Sequence, residues 1–259
     1  MHEENLQIKY ADKNLLIATK YKRNTNDWIV FLHGLGCAKE SFDGVFTDEL
    51  AQEYSILTFD FVGFGKSDKP DNFSYRLEDH AEIARCVIEQ VAPGPVIIVA
   101  HSMGGTIGLL LAQGLKNLVS FVNVEGNLLP EDAGIVSRQT AEQDESVFVQ
   151  EGFDKFLVGL QNSSDTAFRA WATSYKNSSP IALHRSGTSL VEWSDSGKLL
   201  SYFNGLNKKA FVHGDRTDVS LLSPQLLDVD IYSIPDGGHF MMLDNPAAFY
   251  AAIRNHLLS

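Results

Sequence analysis

Residues 96–112, VIIVAHSMGGTIGLLLA, join a β-branched apolar run to an apolar helical run through a turn made of small residues. A strand that passes so abruptly into a helix forces the residue at the apex into a strained backbone conformation. The positions two before and two after the apex must then be small. Gly104 meets that demand and Ala100 nearly does, which leaves Ser102 at the apex, its hydroxyl presented at the carboxyl end of the strand. The Met103 amide would stand at a helix N-terminus, where unpaired N–H groups favour negative charge. A serine in an ordinary strand-to-helix turn serves only as a cap; strand, small residue, Ser-Met-Gly-Gly and helix together read as a nucleophile.

Working outward, WIVFLHG (28–34), YSILTFD (54–60), PVIIVAH (95–101), SFVNVEG (120–126), KKAFVHG (208–214) and VDIYSIP (229–235) are short runs without sustained alternation. Such runs suit strands buried on both faces, hence a parallel sheet. Helix-compatible segments lie between them at 41–53, 76–91 and 103–116, with another at 245–258, so the fold class is α/β. LQIKYA and LLIATKYK, within residues 6–21, predict an antiparallel hairpin before the first of these strands. Strand candidates recur steadily until 126, and then roughly 80 residues pass before the run at 208. Residues 130–205 are therefore expected to form a helical cap inserted into a core domain of 1–129 and 206–259, its apolar segments covering a mouth in the sheet.

The 259 residues carry 21 Lys and Arg against 33 Asp and Glu, a formal charge of −12 that repels nucleic-acid phosphates and anionic lipid. The opening MHEENLQIKYADK has neither the basic start nor the apolar core of a signal peptide, and no apolar stretch approaches a membrane span. A cytoplasmic protein, monomeric or a weak homodimer, is the default expectation, with no nucleic-acid or membrane partner. Cys37 and Cys86 are too few for a disulfide framework, and no Cys/His cluster suggests a metal.

Two further motifs belong with Ser102. In FLHGLG (31–36) the glycines let backbone approach a ligand, and the Leu35 amide would join Met103 as the second oxyanion donor, with His33 orienting the loop. In SIPDGGHFMMLDNP (233–246), His239 follows the last strand, where a general base is expected once a nucleophile exists. Cys37 reads as a buried thiol beside the first of these loops.

Together HGLG, DFVGFGKSD (60–68), AHSMGG and GGHFMMLDNP, in this order and spacing, resemble the α/β-hydrolase superfamily, in particular its capped serine hydrolases, which include esterases and carbon–carbon bond hydrolases. The resemblance covers the chain apart from the cap. It implies a mostly parallel eight-stranded sheet, a lid after the sixth strand, no cofactor, and a structural turn at Gly63 and Gly65. It also implies an acid three residues after the glycine of KKAFVHG, where this chain has Thr217. That departure leaves Asp218 and, less well placed, Asp215; some members of the superfamily carry the acid after the preceding strand, which here would be Glu125. Glu125 and Asp218 both stay open, because either could reach the Nδ1 side of His239 from a strand end. The expected chemistry is acyl transfer from a small, largely apolar ester to water. Carbon–carbon, lactone or thioester hydrolysis or a cofactor-free lyase are alternatives on the same residues, and a non-catalytic ligand receptor is the alternative of another class. Serine at the apex argues against the aspartate-ester chemistry of dehalogenases and epoxide hydrolases.

Overall fold

The computed structural model describes residues 1–259, with the side chain of Ile135 excepted. Eight strands form one sheet: β1 (His2–Tyr10), β2 (Lys13–Lys22), β3 (Trp28–Leu32), β4 (Ser55–Phe59), β5 (Val96–His101), β6 (Leu118–Val124), β7 (Lys209–Gly214) and β8 (Asp230–Ile234). Their spatial order is β1-β2-β4-β3-β5-β6-β7-β8. Strand β2 pairs antiparallel with both β1 and β4, and the strands from β4 across to β8 are mutually parallel. Each residue of β3, β4 and β5 is buried, as continuous apolar runs require when both faces of a sheet are covered. The run at 229–235 departs from that reading: β8 is the sheet's edge, and Ile231 is 45% exposed.

The helices are α1 (Leu50–Glu53), α2 (Leu77–Val91), α3 (Met103–Ala112), α4 (Gly134–Ala141), α5 (Glu145–Val147), α6 (Phe153–Gln161), α7 (Thr166–Tyr175), α8 (Pro180–Asp195), α9 (Leu199–Asn204), α10 (Met241–Asp244) and α11 (Pro246–Leu258). The helix expected over 41–53 is instead a 3₁₀ stretch, Lys39–Thr47, followed by the single turn of α1. Glycine at 44 and the aromatic and β-branched residues around it disfavour α-helical propagation there. Helix α3 ends short of the expected 116, at Gln113-Gly114, where glycine favours termination.

Between β6 and β7 all regular structure is helical. Helix α8 is tied to the core through polar side chains: the Leu77 amide donates to Ser189 Oγ (3.2 Å), Ser186 Oγ to the Tyr75 carbonyl (3.1 Å), and Arg185 to the Phe73 carbonyl (2.7 Å). Helix α7 meets the core through aromatic contacts, Phe168 and Trp171 against Phe240, and α6 packs on α7 with Phe156 against Trp171 and Tyr175. Helix α9 packs against α3 with Phe203 beside Phe121, so it completes the core instead of the covering layer.

The DFVGFGKSD turn is built around a buried carboxylate. Asp60, fully buried, accepts hydrogen bonds from the amides of Lys39 (2.7 Å) and Lys66 (2.8 Å) and from Lys39 Nζ (3.0 Å). A buried charge is tolerated only when paired and bonded in this way. Gly65 has φ +51°, and a Cβ there would lie 2.3 Å from the Asp60 carboxyl carbon, so only glycine closes the turn. The pair fastens the loop after β4 to the loop after β3, and the latter borders the site through Gly34, Leu35 and Cys37.

Candidate active site

Ser102 sits between β5 and α3 with φ 53° and ψ −122°, a conformation costly to any residue with a side chain and one that concentrates at functional positions. The turn is held by the Ser102 amide on the Val124 carbonyl (3.1 Å) and the Gly105 amide on the Ser102 carbonyl (2.7 Å). Its steric demand is severe at Gly104, where a Cβ would lie 2.5 Å from the Leu32 carbonyl oxygen. The Ser102 hydroxyl makes no hydrogen bond to another described residue, and it faces a cavity of about 280 Å³.

His239 follows β8 on the Gly237-Gly238 turn and lines the same cavity. Its Nδ1 is 2.8 Å from Glu125 Oε2, while Glu125 Oε1 accepts from the Gly214 amide at 2.9 Å. A carboxylate acceptor places the ring proton on Nδ1 and leaves Nε2 as a lone pair. Burial works to raise the Glu125 pKa. The His239 hydrogen bond and charge, the Gly214 amide and the Thr217 side chain outweigh it, and the carboxyl is held at about 2. Glu125 itself has φ 43°, a second strained non-glycine position, at the end of β6.

The other acid candidates point elsewhere. Asp218 is exposed and its Oδ1 accepts from the Ser220 amide (2.9 Å); Asp215 Oδ2 accepts from the Asp236 amide (3.0 Å). Neither bonds His239. Thr217, at the position where the resemblance implied an acid, makes only a small contribution to lowering the Glu125 pKa.

Leu35 lines the cavity at the turn after β3, and Met103 opens α3. Neither amide has a backbone acceptor among the described residues. His33, fully buried, donates from Nδ1 to the Gly34 carbonyl (2.8 Å) and accepts the Phe61 amide at Nε2 (3.0 Å), which fixes the course of the loop. Cys37 borders the cavity with its thiol pushed up to about 12 by burial, too high for thiolate chemistry.

Several lining residues escaped the sequence reading. His101 is buried and donates from Nε2 to the His239 carbonyl (2.9 Å), tying the loop of one candidate residue to the strand of the other. Burial, reinforced by the neighbouring His239, pushes its pKa down to about 3, so it stays neutral. Phe168, Trp171 and Phe240 are among the apolar residues that line the cavity, and Asn127, Asp132 and Ser137 among the polar ones. Phe240 was foreshadowed only by its place next to His239; the others had no signal short of the fold. No group of three or more His, Cys, Asp and Glu is placed to hold a metal ion among the described residues, and no helix is long and apolar enough to cross a membrane.

One relative, named "Probable lysophospholipase BODYGUARD 4" from Arabidopsis thaliana, is 37% identical over 98 residues, 37% of this chain and 24% of that protein's length. The chain thus matches only about a quarter of that relative. The solved esterase EaEST from Exiguobacterium antarcticum superposes with a TM-score of 0.76 at 17% identity, over 98% of this chain and 100% of its own. The N-acyl homoserine lactonase AidH, solved with N-butanoyl homoserine, superposes at 0.79 and 16% identity, over 99% and 96%. These two likenesses show a shared fold. Residues 29–252 match the sequence profile described as the alpha/beta hydrolase family, a span that takes in Ser102, Glu125 and His239, and the chain belongs to that family.

Proposed function

We propose that the chain is a serine hydrolase that cleaves an ester, or a related acyl bond, of a small substrate, with Ser102 as nucleophile, His239 as general base and Glu125 as the acid that orients it. The observation that carries this reading is the 2.8 Å contact of His239 Nδ1 with a Glu125 carboxyl held ionised, on the wall of the cavity that Ser102 faces. His239 Nε2 takes the Ser102 proton as Oγ attacks the carbonyl carbon. The tetrahedral oxyanion is received by the amides of Leu35 and Met103, and the imidazolium then protonates the leaving group. Water, deprotonated by His239, attacks the acyl-enzyme and frees Ser102. Glu125 remains a carboxylate throughout and stabilises the imidazolium. Helices α4 to α8 act as the lid that keeps bulk water from the acyl-enzyme.

A cavity of about 280 Å³ suits a short acyl group better than a long chain. The test is turnover of p-nitrophenyl acetate and butyrate and of a γ-lactone by the wild type and by Ser102→Ala. The reading expects ester turnover that falls by at least about 10³ in the variant. Turnover that survives in Ser102→Ala overturns it.

A further inference from the structure

We propose that the cavity above Ser102 selects substrates that carry a positively charged nitrogen, held between the rings of Phe168, Trp171 and Phe240 and the carboxylate of Asp132, a selection that rests on the serine hydrolase reading above. The three rings form one corner: Trp171 and Phe240 have centroids 5.3 Å apart, Phe168 meets Phe240 edge-on at 6.0 Å, and Phe168 lies 6.3 Å from Trp171. Aromatic faces attract cations within about 6 Å of the ring centre, and more strongly when water is excluded. Rings alone would equally accept an alkyl chain.

The charges of the wall separate the two cases. Among the described lining residues there is no Lys or Arg, and the carboxylate there is Asp132. Its Oδ2 accepts the amides of Leu128 and Leu129, both at 2.8 Å, while Oδ1 has no partner among the described residues. Asp132 is exposed at the rim of the cavity, and partial desolvation there, with the nearby charges of Glu131 and Glu125, raises its pKa against the pull of those two amides. A neutral alkyl group placed against Asp132 would strip it of water without compensation, and an anion would be repelled; a cation satisfies the carboxylate and the rings together. The formal charge of −12 draws cations toward the mouth as well. The small volume limits the group to something of the size of a trimethylammonium or a primary amine on a short ester.

Asp132 also caps the turn at Pro130–Ala133, and that is the role it would have without any ligand. Asp132→Asn separates the two roles, because the amide oxygen can still accept the Leu128 and Leu129 N–H groups while the charge is gone. The experiment compares kcat/KM for acetylthiocholine with kcat/KM for its uncharged carbon isostere, 3,3-dimethylbutyl thioacetate, using the full chain. The cationic thioester is expected to be preferred by roughly ten-fold or more in the wild type, and Asp132→Asn to cut that ratio by at least about five-fold. A wild-type ratio near one, or a ratio unchanged in Asp132→Asn, overturns the inference; so does failure to cleave the cationic thioester by a protein that cleaves p-nitrophenyl acetate. If no ester of any kind is cleaved, the hydrolase reading fails. Tetramethylammonium titrated into Ser102→Ala, followed by tryptophan fluorescence, then tests the cation site alone: saturable quenching lost in Trp171→Phe and weakened in Asp132→Asn supports it, and no quenching overturns it.

Discussion

His239 and Glu125 meet at 2.8 Å although they lie 114 residues apart, and the contact is made by the end of β6 reaching under the loop after β8. The carboxylate is fixed from its other side by the Gly214 amide at the end of β7, so three strand ends converge on one imidazole. A glutamate at φ 43° costs backbone energy that packing alone does not require. The strain is explained if the side chain must be aimed.

Glu125→Gln is expected to lower kcat by about 10² to 10⁴ with little change in KM, since the amide can present its N–H to Nδ1 and favour the wrong tautomer. Asp218→Asn, turned out toward Ser220, is expected to stay within about two-fold of wild type. Steady-state kinetics on p-nitrophenyl butyrate checks both, and the reverse ranking would move the acid to the loop after β7.

Gly104→Ala is expected to destabilise the protein by about 3 kcal/mol or more, because its Cβ would lie 2.5 Å and 2.7 Å from the carbonyl oxygens of Leu32 and His33. Backbone, not a flexible side-chain end, would have to move. Urea denaturation followed by circular dichroism measures the loss; a variant as stable as wild type would show that the turn has room the packing denies.

A second Ser-His-carboxylate chain lies near the opposite end of the sheet. Ser120 Oγ is 2.8 Å from His256 Nε2, and His256 Nδ1 is 2.8 Å from Asp230 Oδ2. Ser120 is 3% exposed, and neither its hydroxyl nor His256 lines the cavity that Ser102 faces. Hydrogen bonds alone do not make a catalytic site; access and oxyanion donors are needed too. Ser120→Ala is accordingly expected to cost about 1 to 2 kcal/mol of stability through α11 and to leave kcat/KM unchanged.

Stability should fall as the pH drops below about 6.5, the ordinary histidine value. His80 and His101 are fully buried, and burial pushes both down to about 3; the buried His33 is shifted the same way. Below the unfolded value the unfolded chain takes up protons that the folded chain refuses, so stability is complete above that value and is lost progressively toward the folded ones. Near pH 5 His80 and His101 each cost about 2 kcal/mol. Urea midpoints between roughly pH 7.5 and 5 check the slope, and His80→Gln should make it shallower by about one proton.

What could be read from the sequence was whatever local sterics impose. The turn at Ser102 announces itself because Gly104 must be small in any fold that uses it, and the buried runs of β3 to β5 need no partner to be recognised. The choice between Glu125 and Asp218 was closed to the sequence, since both follow a strand on the same side of the sheet. In space they are separated by the 2.8 Å contact of Glu125 with His239, the Gly214 amide on the other oxygen of Glu125, and the outward turn of Asp218. Thr217 in place of an acid was the one hint. The cavity wall was hidden for a similar reason: Phe168 and Trp171 look like core aromatics of any amphipathic helix until α7 is laid against Phe240. The exposed edge at β8 is not legible in the sequence, because an apolar run records what a strand can bury and not how many neighbours it will have.

The central claim is that Ser102 is a nucleophile activated through His239 by Glu125. Labelling with a small fluorophosphonate, read by intact mass and peptide mapping, tests it most directly. One adduct per chain on the peptide containing Ser102 is expected, absent from Ser102→Ala and formed markedly more slowly in Glu125→Gln. No adduct on the wild type, or one that persists in Ser102→Ala, would contradict the claim.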